Sequence, residues 1–146
     1  MKVGDYLNKM KQRIITCRAE DTVTTAATLL SSNRIGAMPV RGDKGDLIGI
    51  ISERDLVRAL SHTAEQIAAM RVKDLMSTRV VTCTPEDSMA KACQLMNQHN
   101  FRHLPVVEDG RIIGVVSIRD GLAYRLEQSE LEKNILRDNV IAARHR

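Results

Sequence analysis

The first part of the chain alternates short apolar runs with stretches whose apolar residues recur at helical spacing. Residues 14–17 form an apolar run that predicts a strand, and Asp21 then precedes a helical pattern that ends near Leu30. Asp21 is a plausible N-cap for that helix. Two further runs, residues 37–40 and 47–51, flank a turn rich in Gly and Asp, which predicts a hairpin. A second helix is expected to start at Ser52, so the predicted order is strand, helix, strand, strand, helix.

The same pattern returns later in the chain. Residues 80–125 align with residues 14–60, so that Cys83 corresponds to Cys17 and Asp120 to Asp55, after a one-residue deletion beside Lys44. Asp87 is the equivalent N-cap candidate. A repeat decides what the folding unit is, and two units are too few for a solenoid. We therefore predict an α+β protein in which two β-α-β-β-α repeats pack about a pseudo-twofold axis and leave two equivalent clefts.

The segments outside the repeats complete the predicted organisation. We divide the chain into a first repeat with its lead-in (residues 1–66), a linker with the second repeat (67–126), and a C-terminal helix (127–146). Apolar residues in that last segment recur at amphipathic spacing; they are Leu131, Ile135, Leu136, Val140 and Ile141.

Composition narrows the function classes. Hydrophobic residues make up 43% of the chain but aromatic residues only 2%, so the core is expected to be aliphatic. A net charge of +4, without a clustered basic stripe or interleaved aromatic residues, argues against nucleic acid and suits a small anionic ligand. No apolar stretch approaches the ~20 residues of a membrane span. The N-terminus lacks a signal-peptide pattern, which leads us to expect a cytoplasmic protein.

The cysteines and histidines carry no recognisable chemistry. Cys17 and Cys83 occupy equivalent positions in apolar runs, as expected of small buried side chains in a reducing compartment. None of the three cysteines and four histidines has metal-ligand spacing, and no nucleophile with a matching base is evident. We expect neither a metal nor a catalytic cofactor.

The most specific local motif is Gly-x-x-Ser-x-x-Asp, which ends at Asp55 in the first copy and at Asp120 in the second. One interpretation is structural, because Ser and Asp three residues apart at a strand-to-helix junction form a variant of the capping box. The other is ligand binding. A carboxylate can accept hydrogen bonds from both hydroxyls of a ribose, and the Arg before each Asp suits a phosphate. The Gly would let backbone approach a ligand closely, and a helix N-terminus favours anions.

These motifs resemble a tandem pair of CBS domains, also called a Bateman module. The resemblance rests on the paired GIISERD and GVVSIRD segments, on the strand entries AMPV and HLPV, and on the linker at residues 72–76. It implies that the copies pack through their sheets, and that the clefts take AMP, ADP, ATP, NAD(H) or S-adenosylmethionine. The resemblance implies ribose contacts at Asp55 and Asp120 aided by Ser52 and Ser117, phosphate contacts at Arg54 and Arg119, and adenine contacts near Thr16 and Thr82.

The resemblance further implies walls for the two clefts. Ile35, Ala37 and Met38 with Pro39 would wall one cleft, and Phe101 and Leu104 with Pro105 the other. Where the first copy has Arg34, Ile35 and Gly36, the second has Asn100, Phe101 and Arg102, followed by His103. We expect either solvation of Arg102 and His103 or a phosphate contact for the second cleft, with Arg34 serving the first.

Three function classes follow. The leading hypothesis is a non-catalytic regulatory module that senses an adenine nucleotide and signals energy or redox state to a separate protein. The alternatives are an enzyme, for which no catalytic group is found, and a purely structural dimerisation module. A homodimer is expected because apolar helix faces remain after the copies pair. The tail is expected to clasp either its own module or the partner.

Overall fold

The computed structural model describes residues 1–144 of the 146-residue chain; the last two residues of the predicted C-terminal segment lie outside that range. Its helices and strands, in chain order, are α1 (Val3–Met10), α2 (Val23–Asn33), β1 (Ala37–Arg41), β2 (Leu47–Ser52), α3 (Glu53–Ala59), α4 (Ala64–Ala69), α5 (Val72–Leu75), α6 (Met89–His99), β3 (His103–Glu108), β4 (Arg111–Ser117) and α7 (Ile118–Arg144).

Each repeat contains the predicted hairpin. Strands β1 and β2 pair antiparallel, as do β3 and β4, with Ala37 opposite Ser52 in the first sheet and His103 opposite Ser117 in the second. The same register in both copies places the start of one strand beside the serine that begins the following helix. The two repeats meet through their sheets, where β1 contacts β4, and the α+β fold with its pseudo-twofold axis is confirmed.

The predicted first strand of each repeat is reduced to a single bridge. Cys17 pairs parallel with Val40: its N–H donates to the Pro39 carbonyl at 3.1 Å, and its carbonyl accepts from the N–H of Arg41 at 2.9 Å. Cys83 makes the equivalent bridge to Val106. Each sheet therefore has two full strands, because only one residue of the apolar run lies in hydrogen-bonding register.

The predicted N-caps are wrong by one residue. The hydroxyl of Thr22 accepts the Thr25 N–H, and the hydroxyl of Ser88 accepts the Lys91 N–H. Asp87 instead accepts the Thr84 N–H at 2.8 Å, and Asp21 makes the equivalent contact with Arg18. Both carboxylates therefore fix the turn that leads into the helix, and the shorter hydroxyl side chains cap it.

Two aliphatic cores form, and each is completed by a segment from outside its own repeat. Val3, Tyr6 and Leu7 of α1 belong to the core of the second repeat. Val72, Leu75 and Met76 of the linker pack on the core of the first. The N–H groups of Val3 and Gly4 donate to the carbonyls of Asp87 and Pro85 at 2.8 and 2.9 Å. The lead-in thus packs on the second repeat, although it precedes the first.

The predicted C-terminal helix is a continuation of the second repeat. Helix α7 runs unbroken for 27 residues, and every residue from 125 to 144 is exposed. Of the two alternatives expected for the tail, packing on its own module is not found for residues 127–144, and packing on a partner stays a prediction. An exposed ion pair joins Glu127 to Lys9 of the module. No helix within residues 1–144 combines the length and the apolar character that crossing a membrane requires.

The junction of α6 and α7 differs in side-chain size between the repeats. A Cβ added at Gly121 would lie 2.5 Å from the Cys93 sulfur, whereas the aligned positions in the first repeat are Leu56 and Ala27. In the first repeat the smaller side chain of the pair, Ala27, lies on the first helix, whereas in the second repeat the smaller residue, Gly121, lies on the second helix.

We expect Gly121→Ala to lower the free energy of unfolding by about 1–3 kcal/mol, because overpacking outweighs the ~1 kcal/mol gained in helix propensity. Adding Cys93→Ala should recover most of the loss, since it removes the sulfur that the new methyl group would meet. Urea denaturation of the three proteins checks this; a Gly121→Ala variant as stable as the wild type would contradict it.

Candidate functional site

The Ser–Asp motif of the first repeat forms a complete capping box at the start of α3. Asp55 Oδ2 accepts the Ser52 N–H at 2.8 Å and the Ser52 hydroxyl at 3.0 Å, and the Ser52 Oγ accepts the Asp55 N–H. Asp55 is only 7% exposed, the one charged residue buried among those described. The structural interpretation of the motif is thus confirmed for one carboxylate oxygen. The other, Oδ1, pairs with the guanidinium of Arg58.

The second repeat builds the same unit with a different partner. Asp120 Oδ2 accepts the N–H and the hydroxyl of Ser117 at 2.7 and 2.9 Å. Its Oδ1 accepts the hydroxyl of Tyr6, from α1, at 2.8 Å. Burial and the hydrogen bond to Asp120 raise the pKa of Tyr6 above its ordinary value, so the phenol remains a donor at neutral pH.

A cleft of about 610 Å³ lies between the repeats beside Asp55. The start of α3 forms one wall, the linker another, and the entry to β3 a third. The lining residues from the first repeat and linker are Gly36, Ala37, Ile50, Ser52, Glu53, Arg54, Asp55, Ser77, Arg79, Val80 and Val81, and those from the second repeat are Met96, Asn97, Asn100, Phe101, Arg102, His103 and Ile118.

The cleft unites residues that the sequence assigns to different clefts. Ala37 and Phe101 line the same cavity, so the assignment of one wall to each repeat is wrong. Arg102 and His103 line the cleft together with Asp55 of the first repeat, although His103 also lies opposite Ser117 in its own sheet, where the charge of Asp120 acts on its pKa. The reason is the pseudo-twofold packing, which brings the strand entry of one repeat against the helix start of the other.

The remaining predicted residues lie elsewhere. Met38 and Leu104 are buried in the repeat cores, and Pro39 and Pro105 are fully buried as well. Thr16 is half-buried and Thr82 exposed, and neither lines the cleft; nor do Ile35, packed against the first core, and the exposed Arg34. Ser117, Arg119 and Asp120 do not line this cleft; they form the start of α7, which the pseudo-twofold axis relates to the start of α3.

Sequence reasoning missed the contribution of the linker. Ser77, Arg79, Val80 and Val81 line the cleft because the Ser77 N–H and carbonyl bond the backbone of Ile50, which ties the linker to the edge of β2. The available signal was the apolar pair Val80–Val81, which the repeat alignment matches to Ile14–Ile15.

The repeated glycines serve packing and not the ligand. A Cβ on Gly49 would lie 2.7 Å from the Met76 sulfur, and one on Gly114 would lie 2.7 Å from a Leu7 methyl. Glycine is therefore required where the linker and α1 cross the sheets, and the expectation of a ligand contact there is wrong.

The electrostatics of the cleft favour a negatively charged occupant. Arg54, Arg79 and Arg102 line it against the carboxylates of Glu53 and Asp55. His103 lies against Gly36, where an added Cβ would approach its ring within 3.2 Å. Burial, the largest effect, lowers the pKa of His103 below 6.5, although Asp120 and Glu53 oppose that shift. The imidazole is therefore neutral at pH 7.

The thiols at the repeated cysteine positions are structural. Cys17 and Cys83 are buried, and burial raises the pKa of each to about 12. Neither is a thiolate nucleophile at neutral pH.

Comparison with known proteins finds CBS-domain proteins by sequence and by structure. The model of the CBS domain matches residues 3–62 and 72–127. The chain is 36% identical over 108 residues to the mitochondrial CBS domain-containing protein CBSX3 of Arabidopsis thaliana, covering 71% of this chain and about half (52%) of that relative.

Two crystal structures resemble the whole fold. The CBS domain pair of MJ0100, in complex with 5-methylthioadenosine and S-adenosyl-L-methionine, has a TM-score of 0.75 at 25% identity, covering 89% of this chain and 98% of that one. CBSX2 of Arabidopsis thaliana in complex with AMP has a TM-score of 0.72 at 25% identity, covering 88% and 98%.

The lowered pKa of His103 predicts a pH effect on stability. The unfolded chain binds a proton at this residue near pH 6.5 and the folded chain only at lower pH, so stability is lost as pH falls below 6.5. We expect His103→Gln to reduce the fall in melting temperature between pH 7.5 and 5.5. The exposed His62→Gln is the control. An identical fall in wild type and His103→Gln would contradict the assignment.

Proposed function

The chain belongs to the CBS-domain family, and from that premise we propose that it is a non-catalytic regulatory module that binds an adenine nucleotide in the cleft beside Asp55. The observation that carries the proposal is a nearly buried carboxylate at the end of a cleft lined by three arginines.

The carboxylate provides the contact for ribose. Asp55 Oδ2 is fixed by the Ser52 cap, whereas the partner of Oδ1 is an Arg58 side chain that is 69% exposed. The Arg58 guanidinium lies mostly in solvent and is rehydrated when it is displaced, and a ribose hydroxyl would then donate to Oδ1 of the buried carboxylate in its place. The cap therefore holds the aspartate in place while its second oxygen accepts the ligand.

The rest of the cleft matches the other parts of a nucleotide. Ala37, Val80, Val81 and Ile118 provide apolar contacts for a base, together with Phe101, whose ring stacks on His99 at a centroid distance of 5.9 Å. Arg54, Arg79 and Arg102 suit a phosphate, because guanidinium groups form bidentate hydrogen bonds with it. AMP, ADP, ATP and NAD(H) all share this pattern.

S-adenosylmethionine is the second candidate, since the CBS pair of MJ0100 binds it together with 5-methylthioadenosine. In this cleft three arginines outnumber the two carboxylates of Glu53 and Asp55. A phosphate is therefore favoured over a sulfonium cation. Both ligands would use the same ribose contact and would therefore compete for the cleft. We expect AMP to displace S-adenosylmethionine at the lower concentration.

A regulatory module needs a recipient for its signal. We propose that nucleotide occupancy, reporting energy or redox state, is passed to a separate protein. We also propose a cytoplasmic location, where these nucleotides are abundant and the buried free thiols stay reduced. A purely structural role without ligand is the alternative that the binding experiments below test.

We further propose a homodimer. Val57 on α3, Leu60 directly after it, and Leu122 and Leu126 on α7 are 59–72% exposed, and Val57 and Leu122 occupy equivalent positions in the two repeats. The projecting part of α7, about 30 Å long at 1.5 Å per residue, would be marginal as an isolated helix in water. A second copy of the chain would cover both surfaces.

Charge favours antiparallel pairing of the two tails. Residues 126–134 carry Glu127, Glu130 and Glu132 against the single cation Lys133, whereas residues 135–144 carry Arg137 and Arg144 against the single anion Asp138. An antiparallel neighbour brings the acidic half of each tail against the basic half of the other, with Leu131 and Ile135 between them.

We expect AMP to bind the wild type and Asp55→Asn to weaken that binding by tenfold or more, because hydrogen bonds to a charged acceptor contribute about 1.5–3 kcal/mol. Replacing AMP with 2′-deoxy-AMP should also weaken binding. Isothermal titration calorimetry measures both effects.

Asp74→Asn is the matched control, because Asp74 caps α5 through the Arg71 N–H at 2.8 Å and lies outside the cleft. It should lower stability and leave AMP affinity unchanged. If Asp55 only caps a helix, Asp55→Asn will likewise melt at lower temperature but bind AMP as wild type does.

Sedimentation should give twice the chain mass of 16.3 kDa for the wild type. Leu122→Lys and Ile135→Lys should each shift the equilibrium towards monomer, because they place a charge in the proposed interface. Gln94→Lys, on the exposed face of α6, should remain dimeric. A monomeric wild type at micromolar concentration would contradict the proposal.

A further inference from the structure

The two aspartates at pseudo-twofold positions differ in what holds their second oxygen. Asp55 Oδ1 pairs with Arg58 from the same helix, and that side chain is 69% exposed. Asp120 Oδ1 accepts a hydrogen bond of 2.8 Å from Tyr6, which is 7% exposed and comes from the other end of the chain. The aligned position for Arg58 in the second repeat is Ala123, which has no donor in its side chain.

Tyr6 is fixed in place by its surroundings. It belongs to the aliphatic core of the second repeat, with Val3 and Leu7 of the same helix. Helix α1 is attached through the N–H groups of Val3 and Gly4, and the Met89 N–H donates to the Met1 carbonyl at 3.0 Å. Rotating the ring away from Asp120 would disturb this packing, whereas Arg58 can move into solvent freely.

The linker segment related to α1 lacks an equivalent group. Helix α5 contributes Val72 and Leu75 to the first core, and neither carries a hydroxyl that could reach Asp55. The two aspartates therefore differ in the donor to the second oxygen, which is a largely exposed guanidinium at Asp55 and a buried phenol at Asp120.

We propose that Tyr6 makes the two nucleotide positions unequal: its hydroxyl occupies the oxygen of Asp120 that a ribose would need, so the position beside Asp55 fills first. This inference rests on the proposed nucleotide binding. A ribose hydroxyl that binds Asp120 must displace a buried donor, which is left without its partner. The penalty for such a buried donor corresponds to about a tenfold to hundredfold loss of affinity.

The test is calorimetric titration of the full chain with AMP. We expect the wild type to bind one AMP per chain tightly, with the second position at least about tenfold weaker. Tyr6→Phe removes the competing hydroxyl and keeps the ring, so it should bind two. Tyr6→Phe with Asp120→Asn should return to one. Asp120→Asn alone should leave the tight position unchanged.

Tyr124→Phe is the matched control. Tyr124 packs on the same core, but its hydroxyl accepts from the N-terminus at 3.4 Å and does not touch an aspartate. It should bind AMP as the wild type does, which separates the loss of a tyrosine hydroxyl beside this core from the release of Asp120.

The outcomes are distinct. Two equal positions in the wild type, or one in Tyr6→Phe, would overturn the role of Tyr6 while leaving the proposed function in place. Weaker binding in Tyr6→Phe would make Tyr6 a ligand contact and would also overturn it. Absence of AMP binding in both proteins would overturn the proposed function, and the inference with it.

Discussion

The structure depends on the hydrogen bonds between a serine and an aspartate three residues later, at the junction of a strand and a helix. One carboxylate oxygen accepts two hydrogen bonds from the serine, and the serine hydroxyl accepts the aspartate N–H in return. This unit ends β2 and β4, begins α3 and α7, and orients the second carboxylate oxygen away from the cap. The structural and functional interpretations of the motif are therefore compatible, because they use different oxygens of the same side chain.

Duplication supplies a scaffold in which each half completes the other. Helix α1 fills the core of the second repeat and the linker fills that of the first, so neither repeat has its full core without a neighbouring segment. The packing of the two repeats against each other also places the start of β3, at Arg102 and His103, in the same cleft as the start of α3, at Asp55. Because α1 and the linker differ in sequence, the two halves share a fold but offer different surroundings to their aspartates.

Local patterns were predictable from the sequence and long-range packing was not. The repeat, the hairpins and the caps at Ser52 and Ser117 follow from spacing and side-chain chemistry within a few residues. The loss of the strand before Cys17 depends on register against Val40, which only the folded sheet sets. The role of Gly49 depends on Met76, and the sharing of one cleft by Ala37 and Phe101 depends on how the repeats meet. The hydrogen bond from Tyr6 to Asp120 joins residues too distant in sequence for any spacing rule to relate them.

In the proposed mode of binding, the second oxygen of the capping aspartate accepts the ribose, first at Asp55. A two-dimensional NMR titration with AMP tests it directly, because the amides of Ser52 and Ser117 each donate to the carboxylate in question. We expect the Ser52 signal to shift at low AMP concentration and the Ser117 signal only at higher concentration. Saturation of the protein with AMP while the Ser52 signal stays fixed, or a Ser117 shift that comes first, would contradict the account.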